Sequence, residues 1–394
     1  MKLSKLGRIT LASVVSFGLG FGAVACGPSN TIDFLYVTSS KNNPGQINVY
    51  KVDSQGGPLI TLTGSPFSSG GANPVADVAS FNGKNLYVVN HDSNTVVEFA
   101  INTNGNITQQ QSCTTPGSSP TQLAINKAGT YLYVVETYQP NYNVNNPGPG
   151  ALVVYPIDAN GQLGATGSLC TPVANGSSAF FPIGNNPVAV NVLADNGYVY
   201  AVNENDATIS AFTVGSSGVL TANGTFPVGV APNALASDPT NKFLYVTDSA
   251  ANQLIGFLIQ ANGTLVAMQT PFKTDILPTS VQVDPRGIYV YVSNYNANDV
   301  SAYTIDRGTG NATQISGSTA YGVDAGPTFI LIEPAEARFV YTANFLGSTV
   351  SGLALNPATG ALTAVQNSPF KAAAQPTSIA AVTHGNHAIE IIQP

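Results

Sequence analysis

With 394 residues, 43% of them hydrophobic, the chain has ample apolar material for a large core and does not read as a disordered polypeptide. Only 8% of residues are charged and the formal net charge is −7, which leaves no basic patch to track a phosphate backbone and excludes nucleic acid as a partner. A surface so poor in charge has to be built from Asn, Ser, Thr and Gln, a composition that goes with export.

The first element is an export signal. Lys2, Lys5 and Arg8 precede an uncharged, mostly apolar stretch from Ile9 to Ala25 that ends in small residues, so residues 1–25 stand outside the fold. Cys26 follows Ala23-Val24-Ala25, an arrangement that suits cleavage after Ala25 or bacterial lipoprotein processing with a lipid on Cys26. Lipidation is the reading adopted, with residues 26–33 as anchor and linker. No later stretch is apolar for the ~20 residues of a membrane span. The expected location is the periplasm or cell surface, with the membrane touched only through the lipid.

From Phe34 onward one pattern recurs. "FLYVTSS", "LYVVNHD", "LYVVETY", "VYAVNEN", "LYVTDSA", "VYVSNYN" and "VYTANFL" place tyrosines at Tyr36, Tyr87, Tyr133, Tyr200, Tyr245, Tyr291 and Tyr341. The shortest steps between them, Tyr200 to Tyr245 and Tyr87 to Tyr133, are 45 and 46 residues, the period of a four-stranded propeller blade. A proline opens an earlier strand in each repeat, at Pro74, Pro120, Pro187, Pro232, Pro278, Pro327 and Pro376. After each tyrosine run comes an alternating segment such as "TVVEFAI" or "TISAFTV", then a Gly-containing turn, then a short fourth strand. Period-two alternation of β-branched and aromatic residues is the strand signature, and Asn-Gly supplies the positive φ of a hairpin turn.

The ends fit together. The first repeat lacks its proline-led strand, and the C-terminal "PTSIAAVTHGNHAIEIIQP" supplies one. The fold class is therefore all-β: a seven-bladed propeller over residues 34–394, closed by N- and C-terminal strands that share one blade. Ala388–Ile392 and Phe34–Thr38 compete for the same second-strand place.

The repeat resembles the lactonase-like "YVTN" seven-bladed propellers, which include bacterial 6-phosphogluconolactonases and muconate-lactonising enzymes. The likeness rests on the "LYVVN" variants, on "INVYKVDSQGGPL" and on "VYAVNENDATISAF", and it covers about residues 31–394. It implies a lactone-opening site at Asn203-Glu204. Two family features differ: the Arg-His pair after the strand-opening proline is Val188-Ala189 here, and a later Asn-Arg is Asn294-Tyr295. Lactone opening needs a base for water and a group to hold the oxyanion, and of these only Glu204, as base, is matched.

Other candidates come from the residues themselves. Three residues after the repeat tyrosines stand Ser39, Asn90, Glu136, Asn203, Asp248, Asn294 and Asn344, a ring of hairpin corners suited to turn fixing. Asn203 and Asn294, with His91 of "NHD", are kept as binding candidates. Two long segments, 137–150 and 171–186, emerge on one face and carry Tyr138, Tyr142, Phe180 and Phe181 among Asn, Pro and Gly, a mixture suited to a sugar-like or peptide ligand. Cys113 and Cys170 occupy like places, "SCTTP" and "LCTP", in successive crossings; an oxidising compartment permits a disulfide between them, but like places in adjacent blades come within its reach only near the axis. Three histidines and no CxxC point to no metal site and no cofactor.

These observations favour a scaffold that binds a small molecule or an envelope protein through the two-loop face. The alternative is a lactone hydrolase with Glu204 as base in the central channel.

Overall fold

A computed structural model of the chain describes residues 30–165, 167–315 and 320–385. The export signal, Cys26 and Ala388–Ile392 lie outside these residues. The tyrosine runs are apolar on both faces of the pleat, the pattern of a strand covered on two sides. Asn85–Asn90, Phe243–Asp248, Tyr289–Asn294 and Phe339–Asn344 are buried along their whole length.

Each run is the second strand, b, of an antiparallel sheet. A proline-led strand a lies beside it at the axis, and strands c and d follow outward. Blade 4 shows the plan: Pro187–Val192, Tyr198–Asn203, Thr208–Val214 and Leu220–Pro227, hydrogen-bonded in that order. Seven such sheets form the ring. The proline of strand a faces the hairpin corner of strand b, as in Pro187↔Asn203 and Pro278↔Asn294, and the register shifts just after it. Proline lacks the N–H that a regular ladder would use there.

Closure falls in blade 1, where Pro376–Thr383 pairs with Thr31–Ser39. Phe34–Thr38 thus occupies the contested second-strand place, and the strand begins at Thr31, three residues upstream of Phe34.

Two sets of hydrogen bonds tie each blade to the next. On the face that carries the a–b and c–d turns, here called lower, the repeat tyrosines donate their hydroxyls to a glycine carbonyl in the c–d turn of the following blade. The bonds are Tyr36 to Gly105 (3.0 Å), Tyr87 to Gly161 (2.7 Å), Tyr200 to Gly263 (2.9 Å), Tyr245 to Gly310 (2.7 Å) and Tyr291 to Gly360 (2.9 Å). Tyr341 closes the circle onto Gly57 in blade 1 at 2.7 Å. The Tyr133 hydroxyl has no partner. Near the opposite, upper face, the residue after each strand-opening proline makes a second belt. Thr121, Asn233, Thr279, Thr328 and Thr377 donate to the carbonyls of Pro187, Pro278, Pro327, Pro376 and Pro74. Val75 and Val188 stand in the two remaining places and cannot donate.

Removing the closing hydroxyl strands a buried carbonyl, a loss of about 1–2 kcal/mol. Tyr341→Phe should therefore shift the urea midpoint downward, whereas Tyr133→Phe, which removes an unpartnered hydroxyl, should leave it almost unchanged. Equal shifts for the two would refute the role given to the tyrosine ring.

Candidate functional site

The corner ring comes first, because it decides which polar groups remain for a ligand. Asn203 and Asn294, expected at a ligand, are wholly buried. Asn203 donates to Thr208 and Ser210 and accepts from the Gly184 N–H. Asn294 donates to Asp299 and Ser301. Asn344 makes the same pair of bonds to Thr349 and Ser351, and Asp248 accepts from the N–H groups of Val230 and Ala231. Asn203 and Asp248 pin the b–c turn to the crossing that enters their own blade, and Asn294 and Asn344 tie the same corner to strand c. The binding role expected of Asn203 and Asn294 is thereby corrected to a structural one. A Cβ on Gly184 would overlap the Asn203 side chain, so the crossing needs glycine at that close approach.

One residue beyond each corner a second ring surrounds the upper mouth of the channel. Its members are Ser40, His91, Thr137, Glu204, Ser249, Tyr295 and Phe345, each partly exposed. Two of these, Glu204 and His91, bring a carboxyl and an imidazole to the mouth. Glu204 accepts from the Asn186 side chain at 2.8 Å, and its backbone N–H is fixed by the Asn186 carbonyl. Burial raises its carboxyl above the usual range, against the pull of the Asn186 bond. His91 lies with Nδ1 2.6 Å from Asp92 Oδ1, and Asn73 also donates to that oxygen. The His91 bond holds Asp92 below its ordinary value. With Nδ1–H donated to Asp92, Nε2 is the basic nitrogen.

Among the described residues no arginine stands in for the missing family pair. Arg286, Arg307 and Arg338 all sit on lower-face turns, bonded to Asp284, to the Arg286 carbonyl and to Glu336. A cation appears elsewhere at the mouth: Lys41, with Asn42, Asn73, Asp92 and Phe345, lines a cleft of about 500 Å³ between blades 7, 1 and 2. The sequence reading missed Lys41 because the first repeat carries an irregular b–c turn that hides the correspondence, whereas Asp92 belongs to the "NHD" stretch already singled out there.

The two long segments meet as expected on the upper face. The Gly150 N–H bonds the Gly184 carbonyl at 2.8 Å, and Ile183 returns a bond to Gly150. Tyr138 and Phe180 are half-buried and Tyr142 is exposed. Phe181 is not available to a ligand: it is 2% exposed and pairs with Leu152 as the outer strand of blade 3. Cys113 and Cys170 form a disulfide, with Cα atoms 5.2 Å apart, but not from matching places. Cys113 lies on strand d of blade 2 opposite Val96, where blade 3 has Phe181. Cys170 comes from a hairpin inserted in blade 3, Gly164–Ala165 with Ser168–Leu169. Among the described residues no group of three His, Cys, Asp or Glu side chains is arranged to hold a metal ion.

The profile of the lactonase seven-bladed β-propellers matches residues 33–179 and 177–387. The chain belongs to that family. It is 23% identical over 330 residues to a 6-phosphogluconolactonase of Photorhabdus laumondii, covering 75% of this chain and 98% of that one. A 6-phosphogluconolactonase of Pectobacterium carotovorum is 24% identical over 336 residues, covering 76% and 98%. Among solved structures, the periplasmic gluconolactonase of Pseudomonas aeruginosa superposes with a TM-score of 0.73 at 19% identity, covering 89% of this chain and 99% of that one.

One corner of this lactonase-family propeller titrates. Glu136 is wholly buried, with Oε2 accepting the Gly117 N–H at 2.7 Å and Oε1 unpartnered. Burial pushes its carboxyl up to about 8 from 4.5, against that bond. The folded state therefore holds a proton that the unfolded chain releases, and stability falls as pH rises from about 4.5 to about 8, by at most about 1.4 kcal/mol per pH unit for one proton. Glu136→Gln should flatten the pH dependence of the urea midpoint across that window. An unchanged slope would show that Glu136 ionises in the folded protein as it does in the unfolded one.

Proposed function

We propose that the chain is a lactone hydrolase acting on the lactone of a sugar acid at the upper mouth of the channel, with Glu204 as general base. Membership of the lactonase family, with relatives named 6-phosphogluconolactonase aligned over nearly their whole length, carries this reading above that of a binding scaffold. Glu204 stands where the family likeness puts an acid, and Asn186 orients it. In the proposed step Glu204 takes a proton from water as the water oxygen attacks the lactone carbonyl. The tetrahedral oxyanion collapses with cleavage of the ring C–O bond, and the proton returns to the departing ring oxygen. One water is consumed and one hydroxy acid is formed.

A second reading gives the base role to His91, and the 2.6 Å contact with Asp92 favours it. The two are separated by pH-stat assay of the purified protein on sugar lactones. Glu204→Gln should lower kcat by about 10²- to 10⁴-fold with KM little changed, and His91→Asn should act mainly on KM. The reverse pattern moves the base to His91. No turnover of any sugar lactone by the unaltered protein would leave the scaffold reading in its place.

Export with a lipid on Cys26 belongs to the same proposal, supported by the Lys-rich apolar leader and by the periplasmic name of one relative of this fold. Cys26→Ser should release the protein from the membrane fraction, and retention there would refute the anchor.

A further inference from the structure

The ring is joined where the N-terminal strand of blade 1, Thr31–Ser39, lies against blade 7, and two carboxyls meet at that junction. Asp33 stands on this strand three residues before Tyr36. The same place holds Lys84, Thr130, Gly197, Lys242, Ile288 and Arg338 in the other blades, each at least partly exposed. Of the seven, Asp33 alone is wholly buried. Opposite is Glu333, in the a–b turn of blade 7 and equally buried, and the Asp33 carboxyl meets the Glu333 carboxyl and the Ala335 N–H.

The two carboxyls are not equivalent. Glu333 holds its turn as Asp238 and Asp284 hold theirs, by accepting backbone N–H groups, here those of Glu336 at 2.9 Å and Arg338 at 2.6 Å. Two such donors favour the ionised form, so Glu333 is the carboxylate and Asp33 the acid that donates to it. Among the described residues no ion pair includes either of them. The Arg338 guanidinium is turned to Glu336, whose charge adds to that of Glu333. On the other elements around the pair, the Tyr341 hydroxyl is bonded to Gly57, Lys51 stands opposite Phe34 in the ladder, His384 packs on the Phe34 ring, and Asp77 meets Ser378 and Ala380 from the blade 2 side. Burial and the Glu333 charge push the Asp33 carboxyl well above its usual range.

We propose that this pair is a proton-operated lock on ring closure: Asp33 and Glu333 share one proton across the junction of blades 7 and 1, and loss of that proton frees the N-terminal strand. With the proton in place a hydrogen bond crosses the junction, and without it two like charges are buried side by side. In the released strand Asp33 meets water and ionises at about 3.9. Release therefore gives up a proton and becomes easier as pH rises above that value, by up to about tenfold per pH unit. The strand leads directly into Ser40 and Lys41, so its release opens the upper mouth at the Lys41 cleft. The lock does not rest on the lactonase reading.

The test is hydrogen exchange of the full protein from pH 5 to pH 8, expressed as protection factors so that the intrinsic pH dependence of exchange is removed. The segment Thr31–Ser39 should lose protection by about tenfold for each pH unit, and the control strand Phe243–Asp248 in blade 5 by much less. Asp33→Asn keeps the shape, cannot ionise, and should flatten the profile of Thr31–Ser39. Glu333→Gln still offers an oxygen to its turn and presents an NH₂ to Asp33, so it should reduce the slope as well, and a fold defect in one variant does not decide the matter. Asp77→Asn should leave the slope at Thr31–Ser39 unchanged, and a flattened profile in that variant would move the lock to Asp77. The inference fails if Thr31–Ser39 loses no more protection than the blade 5 control. It also fails if the Asp33 and Glu333 variants keep the slope of the unaltered protein.

Discussion

The architecture depends on one hydrogen bond, repeated from blade to blade: a tyrosine hydroxyl on strand b to a glycine carbonyl in the c–d turn of the next sheet. A fully buried tyrosine must find a partner for its hydroxyl. For six of the seven repeat tyrosines that partner lies in the neighbouring blade and fixes the position of the sheet that follows; Tyr133 of blade 3 is the one without it. Tyr341 reaching Gly57 brings the last blade to the first. The glycines follow from the same contact. Phe34, Tyr198, Phe243 and Phe339, two residues before their tyrosines, lie against the turns at Gly105, Gly263, Gly310 and Gly57, where a Cβ would overlap their rings. All four glycines have positive φ, which glycine adopts without strain.

With the blades held in this way, the two ends of the channel acquire different chemistry. The upper mouth collects the residue beyond each corner, and there stand Glu204, His91 and the Lys41 cleft beside the two long segments. Between the mouth and the lower face, strands a contribute small and aliphatic side chains, interrupted by two glutamines. All three described arginines lie on the lower turns. A hydrolase at the mouth must therefore stabilise its oxyanion with neutral donors or with Lys41, a departure from the family's arginine.

Much of this was legible in the sequence because the repeat is written in side chains that the fold needs. Tyrosines and prolines at near-fixed spacing gave seven blades, and the missing first strand gave the closure. Corner residues were harder to read. Asn203 and Asn294 carry the same amide whether they hold a turn or a ligand, and only their bonds to Thr208, Ser210, Asp299 and Ser301 tell the two apart. Phe181 read as a loop aromatic because the inserted hairpin displaces the outer strand that it belongs to. The cysteines sit in similar words, "SCTTP" and "LCTP", yet one lies on a regular strand and the other on an insertion.

The shared blade has a consequence for how the molecule comes into being. Thr31–Ser39, among the first segments to leave the ribosome, pairs with Pro376–Thr383 on one side, and Thr377 from that late strand reaches Pro74 in blade 2. Intermediate blades can form in order as they are made, but the channel wall stays incomplete until the final strand arrives. A chain in which Thr31–Ser39 and Pro376–Thr383 have not yet met therefore has no closed channel wall and no continuous mouth, and every site on the axis comes into existence with that one pairing.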